Sequence, residues 1–174
     1  MKPILPIAAA LTLAACATAP QPMAPPTSEV RPPVGEASQA NWNAGNAAYL
    51  AWNAGRPGWT TTESGLQYRR ISAAHAEGRQ PVATDTVRVH YRGTFIDGRE
   101  FDGSWARGEP AEFPLNRVIK GWTEGVALMR EGERFEFVIP AALGYGERSV
   151  GGGEIPPNST LLFTVELLAV LPPA

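Results

Sequence analysis

The 174-residue chain carries 15 Lys and Arg residues against 17 Asp and Glu residues, which gives a net charge of −2 at pH 7. This length predicts one globular domain rather than two. Because the charges nearly balance and no stretch gathers basic side chains, nucleic acid is not an expected partner. A single cysteine, Cys16, excludes an internal disulfide, and two histidines leave no ligand set for structural zinc. We expect neither a metal nor a cofactor.

Residues 1–15 have the pattern of a bacterial lipoprotein signal peptide. Lys2 is followed by a mostly apolar stretch that is too short to cross a bilayer as a helix. The sequence Leu13-Ala14-Ala15-Cys16 resembles a lipobox, which implies that Cys16 becomes a lipidated mature N-terminus. An ordinary signal peptide cleaved after Ala17-Thr18-Ala19 is the alternative. Two or three acyl chains make release from a membrane negligible. The lipobox implies a lipid-anchored protein of the bacterial cell envelope. By the same resemblance Ala17, unlike an aspartate at that position, implies export to the periplasmic face of the outer membrane.

Residues 16–35 are predicted to form a tether. Prolines stand at positions 20, 22, 25, 26, 32 and 33. Such a sequence favours extended polyproline-like conformations and has no apolar core to bury. We therefore expect a disordered segment that holds the folded domain clear of the lipid surface.

Residues 36–60 contain a predicted short helix with Ser38 as the N-cap candidate. The aromatic side chains can pack onto the chain's own domain or pair with a second chain. Gly45 and the short length argue against a strong dimerising coil. We therefore expect packing onto the domain, and a monomer rather than a dimer. Three aromatic side chains lie near one face of the predicted helix: Trp42, Tyr49 and Trp52.

Residues 61–172 change to alternating patterns. The run Val87-Arg88-Val89-His90-Tyr91-Arg92 alternates apolar with charged or polar side chains, which predicts a half-buried strand. Residues 66–68, 135–139 and 161–168 repeat the pattern, so four or five antiparallel strands with one solvated face are expected. One helix should cover the sheet. It is predicted from a single internal segment with helical spacing: Ile119, Trp122, Val126 and Met129.

Gly121 and Gly125 stand four residues apart in this predicted helix. Glycine costs about 1 kcal/mol relative to alanine inside a helix, so its presence there needs a reason. Without side chains at these positions, the helix can approach the strands closely. We expect that close approach.

Five motifs follow one another within residues 89–158: Val89-His90-Tyr91-Arg92-Gly93, Gly98-Arg99-Glu100-Phe101-Asp102-Gly103-Ser104, Val118-Ile119-Lys120-Gly121-Trp122, the run 139–146, and Ile155-Pro156-Pro157-Asn158. In this order they resemble the FKBP-type prolyl isomerases, in the form found in bacterial lipoproteins. The resemblance covers residues 62–171, and Ser64-Gly65-Leu66-Gln67-Tyr68 is similar to bacterial members with an N-terminal extension.

The resemblance implies an α+β fold: a curved, antiparallel five-stranded β-sheet wrapped around one short α-helix, with an aromatic-lined cavity between them. It also implies peptidyl-prolyl cis/trans isomerisation of proline-containing unfolded or peptide substrates, in service of envelope protein folding. A macrolide is a further ligand that the resemblance implies.

The site residues are carried over by motif. Taken alone, Val118, Ile119, Trp122 and Phe163 would be ordinary core, and Asp102 a turn residue. Arg107 either holds Asp102 and Tyr91 by hydrogen bonds or is a solvated surface arginine. Trp122 is expected to form the floor of the pocket. Tyr91, Phe101, Asp102, Trp122 and Tyr145 are implied as catalytic, and Phe113, Val118, Ile119, Phe163 and Ile155, the last in a flap above the pocket, as substrate-binding.

Three positions depart from the family pattern. Ala111 stands where many relatives have a bulky apolar side chain in the cavity wall, which predicts a wider pocket or an altered preference. Gly103 and Trp105 replace the commoner Ser and Tyr of that loop.

Two other functions are compatible with the sequence. One is a membrane-tethered chaperone or binding module, with weak or no isomerase activity, that holds unfolded proteins by exposed aromatics such as Trp42, Trp52 and Trp59. The other is a structural lipoprotein that uses the fold to bind an envelope component. The isomerase is preferred because rotation about an X-Pro amide breaks no bond, so a chain without a catalytic triad or metal cluster suits it.

Overall fold

The computed structural model describes residues 36–172, so the predicted signal peptide, Cys16 and the tether lie outside it. The described chain begins with helix α1 (Glu36–Ala54) and contains a second α-helix, α2 (Lys120–Val126). Neither helix is long and apolar enough to span a membrane. The strands of the described chain form one sheet: β1 (Thr60–Thr61), β2 (Gln67–Arg70), β3 (Thr86–Thr94), β4 (Glu100–Gly103), β5 (Ala111–Pro114), β6 (Arg134–Ile139) and β7 (Leu161–Leu171).

All strand pairs are antiparallel, in the order β1-β2-β6-β7-β3-β4. Strand β4 pairs with residues 92–94 of β3, whereas β5 pairs with residues 86–89 of the same strand. The two short strands therefore share one edge position. Counting that edge once gives the five expected positions, to which β1 adds a two-residue extension beside β2.

The alternation predicted for β3 is present. Val87, Val89 and Tyr91 are buried on the inner face, while Arg88 and Arg92 are exposed on the outer face. The inner face carries the apolar core, and the long pairing of β3 with β7 places that core at the centre of the sheet.

Helix α2 lies against the inner face through its glycines, as expected. A Cβ on Gly121 would lie 2.5 Å from Ile139 Cγ2, and a Cβ on Gly125 would lie 2.7 Å from a ring carbon of Phe137. The helix ends at Val126, whereas the sequence predicted that it would reach Met129. After Val126 the chain tightens into turns, in which the N–H donates to the carbonyl three residues earlier. Met129 is nevertheless fully buried.

Helix α1 packs onto its own domain, as predicted. Trp42 is 0% exposed, and its Nε1 donates a hydrogen bond to Ser159 Oγ at 3.2 Å. Tyr49 packs with Ile96 and Val138 in a second apolar cluster. The helix differs from the prediction at its start: Ser38 lies within it rather than at its N-cap, since the helix already includes Glu36.

Candidate active site

A cavity of about 820 Å³ lies where α2 meets β3, β4, β5, β7 and the segment after β6. Nine of the ten side chains predicted for the site line it. The fold thus gathers residues separated by more than 70 positions in the sequence. Those nine are Tyr91, Phe101, Asp102, Phe113, Val118, Ile119, Trp122, Tyr145 and Phe163.

Trp122 is in contact with three other rings of the cavity wall. Its centroid lies 5.3 Å from that of Tyr91, 5.6 Å from Phe113 and 5.3 Å from Phe163, each edge to face. Edge-to-face pairs of this kind fix ring orientation as well as burying apolar area. Trp122 is 4% exposed, so its ring is held rigidly.

Two of the cavity residues, Tyr91 and Asp102, belong to a hydrogen-bonded group. The Tyr91 hydroxyl donates to Asp102 Oδ2 at 2.5 Å. Arg107 donates to Asp102 Oδ1 at 2.8 Å and to the Tyr91 hydroxyl oxygen at 3.1 Å. The Gly103 N–H donates to Asp102 Oδ1 at 2.8 Å. Arg107 is therefore the holding residue and not a free surface arginine.

The group has a fixed protonation state at neutral pH. Burial raises the pKa of Asp102, but the hydrogen bonds from Tyr91 and Arg107, together with the Arg107 charge, outweigh it and leave the pKa below 3.8. Burial and the bond to Asp102 raise the pKa of Tyr91. The bonds to Tyr91 and Asp102 raise the pKa of Arg107. An ionised Asp102 thus faces a protonated Tyr91, so the pair positions the ring.

Tyr145 offers the cavity a free donor. Its side chain lines the wall, and its hydroxyl has no hydrogen-bond partner among residues 36–172. The backbone is set by the N–H of Gly146, which donates to the Ala141 carbonyl at 2.8 Å, and by the Asn158 N–H, which donates to the Gly146 carbonyl at 2.8 Å. The Tyr145 hydroxyl is therefore available to a bound molecule.

Ile155, the tenth predicted residue, is not in the cavity wall. It is 8% exposed and belongs to the apolar core. Its backbone forms a two-bond bridge with Val150, with N–O distances of 3.1 Å in both directions. The bridge closes the loop between them, and the Ile155 side chain packs in the core cluster that also contains Tyr91, Trp122 and Phe163.

The three departures from the family pattern also lie outside the cavity lining. Ala111 is half-buried in β5 opposite Val89 and packs against the core. Trp105, 38% exposed, stacks on His90 with a centroid distance of 5.6 Å. Gly103 is buried, where a Cβ would lie 2.6 Å from Glu100 Oε1. The wider pocket or altered preference that Ala111 predicts stays a prediction.

Sequence reasoning missed the charged part of the cavity lining. Arg117, Lys120, Glu147 and Arg148 all line it. Their positions in the sequence could have indicated them. Arg117 and Lys120 flank the predicted Val118 and Ile119, and Glu147 and Arg148 follow soon after Tyr145. In the part of the chain that the structure describes, no three His, Cys, Asp or Glu side chains gather as a metal site would require.

The sequence pattern of the FKBP-type peptidyl-prolyl cis-trans isomerase family matches residues 77–168. The FKBP-type peptidyl-prolyl cis-trans isomerase FkpA of Aeromonas hydrophila is 56% identical over 117 residues, covering 67% of this chain and 42% of that protein. Outer membrane protein MIP of Legionella longbeachae is 48% identical over 114 residues, covering 66% of this chain and 48% of that protein.

The crystal structure of a peptidyl-prolyl cis-trans isomerase from Pseudomonas syringae pv. tomato has the same fold. It matches with a TM-score of 0.70 at 30% identity, covering 79% of this chain and 98% of that one. The chain spans less than half the length of the two curated relatives. The family pattern nevertheless covers more than half of the chain, and the cavity residues fall within it. The chain belongs to the FKBP-type peptidyl-prolyl cis-trans isomerase family.

Proposed function

We propose that this chain is a peptidyl-prolyl cis/trans isomerase that acts on proline-containing unfolded or peptide substrates. The observation that carries the proposal is the cavity itself: rigid aromatic walls, with one free hydroxyl donor at Tyr145. Apolar clefts with few polar groups suit a small apolar ring such as proline. The family membership supports the same activity.

The reaction needs no nucleophile. The barrier to rotation about an X-Pro amide, about 18–20 kcal/mol, comes from lost amide resonance. As the amide twists, its charge separation falls, so a water-poor aromatic cavity disfavours the planar ground state more than the twisted one. A differential stabilisation of roughly 7 kcal/mol would accelerate rotation about 10⁵-fold.

The cavity residues divide this work. The proline ring packs over Trp122, whose orientation is fixed by its edge-to-face neighbours. The Tyr145 hydroxyl donates to a substrate carbonyl and holds it in the twisted geometry. Asp102 and Arg107 hold Tyr91 in the wall by the hydrogen bonds described above.

The test is an isomerisation assay on a short X-Pro peptide, comparing Tyr145→Phe with Tyr68→Phe. Both tyrosines are partly buried, but Tyr68 packs on the core away from the cavity. Loss of one transition-state hydrogen bond should lower kcat/KM about tenfold in Tyr145→Phe. Tyr68→Phe should retain the wild-type value. No acceleration by the folded wild-type protein would overturn the proposal.

We infer that the enzyme works in the bacterial cell envelope, anchored through a lipid on Cys16 and spaced from the membrane by the proline-rich tether. The lipobox motif supports the anchor, and the similarity to outer membrane protein MIP of Legionella longbeachae supports the compartment. Metabolic labelling with a fatty acid should mark the wild-type chain and leave Cys16→Ser unlabelled.

A macrolide would occupy the aromatic cavity and should inhibit turnover of the X-Pro peptide competitively.

The chaperone alternative rests on three tryptophans, of which the structure buries one completely. Trp42 is fully buried, and Trp52 packs on Tyr49 with a centroid distance of 5.3 Å. Trp59 lies beneath the guanidinium of Arg69, 5.1 Å from the ring centroid. Trp52 and Trp59 are half-buried against these neighbours, so only part of each ring is open to an unfolded client. Suppression of aggregation without peptide isomerisation would restore this alternative.

A further inference from the structure

The cations of the domain fall into two groups by their partners. Eight arginines of the described chain form ion pairs with carboxylates. Of the remaining cations in residues 36–172, Arg56 lies over the Trp52 ring and Arg130 donates to the Gly78 carbonyl. The others are Arg117, Lys120 and Arg148, which we call the cationic rim.

All three residues of the cationic rim line the cavity. No carboxylate of the described residues pairs with them, and Arg148 donates only to the main-chain oxygen of Tyr145, at 3.4 Å. Each is exposed. Since they form no ion pair and bury little surface, they contribute little to holding the fold together.

The anions of the cavity do not balance the cationic rim. Asp102 is already engaged by Arg107, Tyr91 and the Gly103 N–H, which leaves Glu147 as the one remaining carboxylate in the lining. The cavity mouth therefore carries an excess of positive charge. The whole chain has the opposite sign, with a net charge of −2.

The position of the cationic rim relates it to the substrate. Arg117 ends the short 3₁₀ helix before α2, and Lys120 begins α2, so the two flank Val118 and Ile119 in the cavity wall. Arg148 comes three residues after Tyr145. A peptide whose proline enters the cavity must carry its neighbouring residues past these charges.

We propose that the cationic rim selects proline-containing segments that carry Asp or Glu next to the X-Pro bond. This inference rests on the proposed isomerase function and adds its substrate class. Charges of one sign around a cleft with apolar walls focus the field, raise the local concentration of oppositely charged ligands and disfavour like-charged ones. The preference therefore acts mainly on kcat/KM.

The experiment uses three peptides of equal length with Glu, Gln or Lys beside the same X-Pro unit. At low ionic strength, kcat/KM for the Glu peptide should exceed that for the Lys peptide about tenfold, and the ratio should shrink as added salt shortens the screening length. The dissociation constant of each peptide is measured in parallel.

Two triple variants with equal charge change separate the cationic rim from net charge. Replacing Arg117, Lys120 and Arg148 with Gln should bring the Glu/Lys ratio close to one. Replacing Arg88, Arg99 and Arg134 with Gln removes three arginines that pair with carboxylates away from the cavity and should keep the ratio.

Equal kcat/KM for the three peptides in the wild type would overturn the inference, and so would a ratio retained by the cationic-rim variant. Absence of turnover on every peptide would contradict the proposed function instead. In that case, tighter binding of the Glu peptide, lost in the cationic-rim variant, would still support the selection of acidic segments, and equal dissociation constants would overturn it.

Discussion

The two α-helices attach to the sheet in different ways. Helix α2 uses contact distance: Gly121 and Gly125 bring its backbone against Ile139 and Phe137. Helix α1 is attached by Trp42 and by buried or partly buried side-chain amides. Asn46 accepts from the Thr160 N–H at 2.7 Å, and Asn53 donates to Gln67 Oε1 at 2.8 Å. Gln39 donates to the Pro157 carbonyl at 3.0 Å. Close packing thus attaches the helix beside the cavity, and directional polar bonds attach the other.

The largest expected effect is at the α1 contact. Trp42→Ala should lower the free energy of unfolding by about 4 kcal/mol, since it removes a fully buried indole and the partner of Ser159. Urea denaturation measures the change. Trp105→Ala, at a partly exposed position, should cost about 1 kcal/mol or less. If Trp42→Ala lowered the free energy of unfolding as little as Trp105→Ala, helix α1 would be only loosely attached.

Helix α2 should be sensitive to added volume. Gly125→Val places atoms where Phe137 already packs, and should destabilise by about 3 kcal/mol despite the better helix propensity of Val. Gly55→Val is the control, because the atom nearest its Cβ is the Trp52 carbonyl oxygen, 3.7 Å away. A Gly125→Val protein as stable as wild type would mean that the close approach is not required.

The polar attachment of α1 can be tested at Asn53. Asn53→Ala leaves the buried Gln67 Oε1 without that donor and should cost about 2 kcal/mol. Asn41→Ala, on the exposed side of the same helix, should be neutral or slightly stabilising because alanine is the better helix former. Thermal unfolding of both variants measures the difference, which should vanish if the amide network contributes nothing.

The smallest expected effect concerns how the stability loss of a variant depends on pH. It distinguishes the ionised Asp102 group from the neutral amides of α1. The pKa of Asp102 is lowered in the folded state, so its stabilisation is fully present above its ordinary value of 3.8 and is lost as pH falls through the folded value. The stability gap between wild type and Asp102→Asn should therefore narrow below pH 3.8. Because that side chain is 46% exposed, the gap is small.

The gap for Asn53→Ala should not change over the same pH range, since neither amide titrates. Chemical denaturation at pH 7 and pH 3, at constant ionic strength, measures both gaps. A constant Asp102 gap would mean that ionisation of the carboxyl does not matter to the fold.

The same comparison explains what the sequence could predict. Apolar periodicity and two glycines were enough for α2 and for the alternation of β3, because both depend on local spacing. The nine cavity residues came from the family motifs, since their spacing alone indicates only core. The amides of α1 could not be paired in advance, because the partners of Asn46 and Gln39 lie more than a hundred residues away and nothing in the local spacing pairs Asn53 with Gln67.

Ile155 and the cationic rim illustrate two further limits. The resemblance placed Ile155 in a flap above the pocket, whereas the structure shows its backbone in a bridge with Val150 and its side chain in the apolar core. Arg117 and Lys120 stand beside predicted site residues in the sequence. Only the three-dimensional structure shows that no carboxylate of the described residues pairs with them.

The separation between Trp42 and Ser159 also matters during synthesis, because the chain is made from its N-terminus. Their hydrogen bond joins residues 117 positions apart, so it cannot form until almost the whole domain has been synthesised. At ordinary elongation rates this delay is on the order of ten seconds. Helix α1 is made first, but Trp42 can reach its buried position only once Ser159 and the rest of the domain are available to fold.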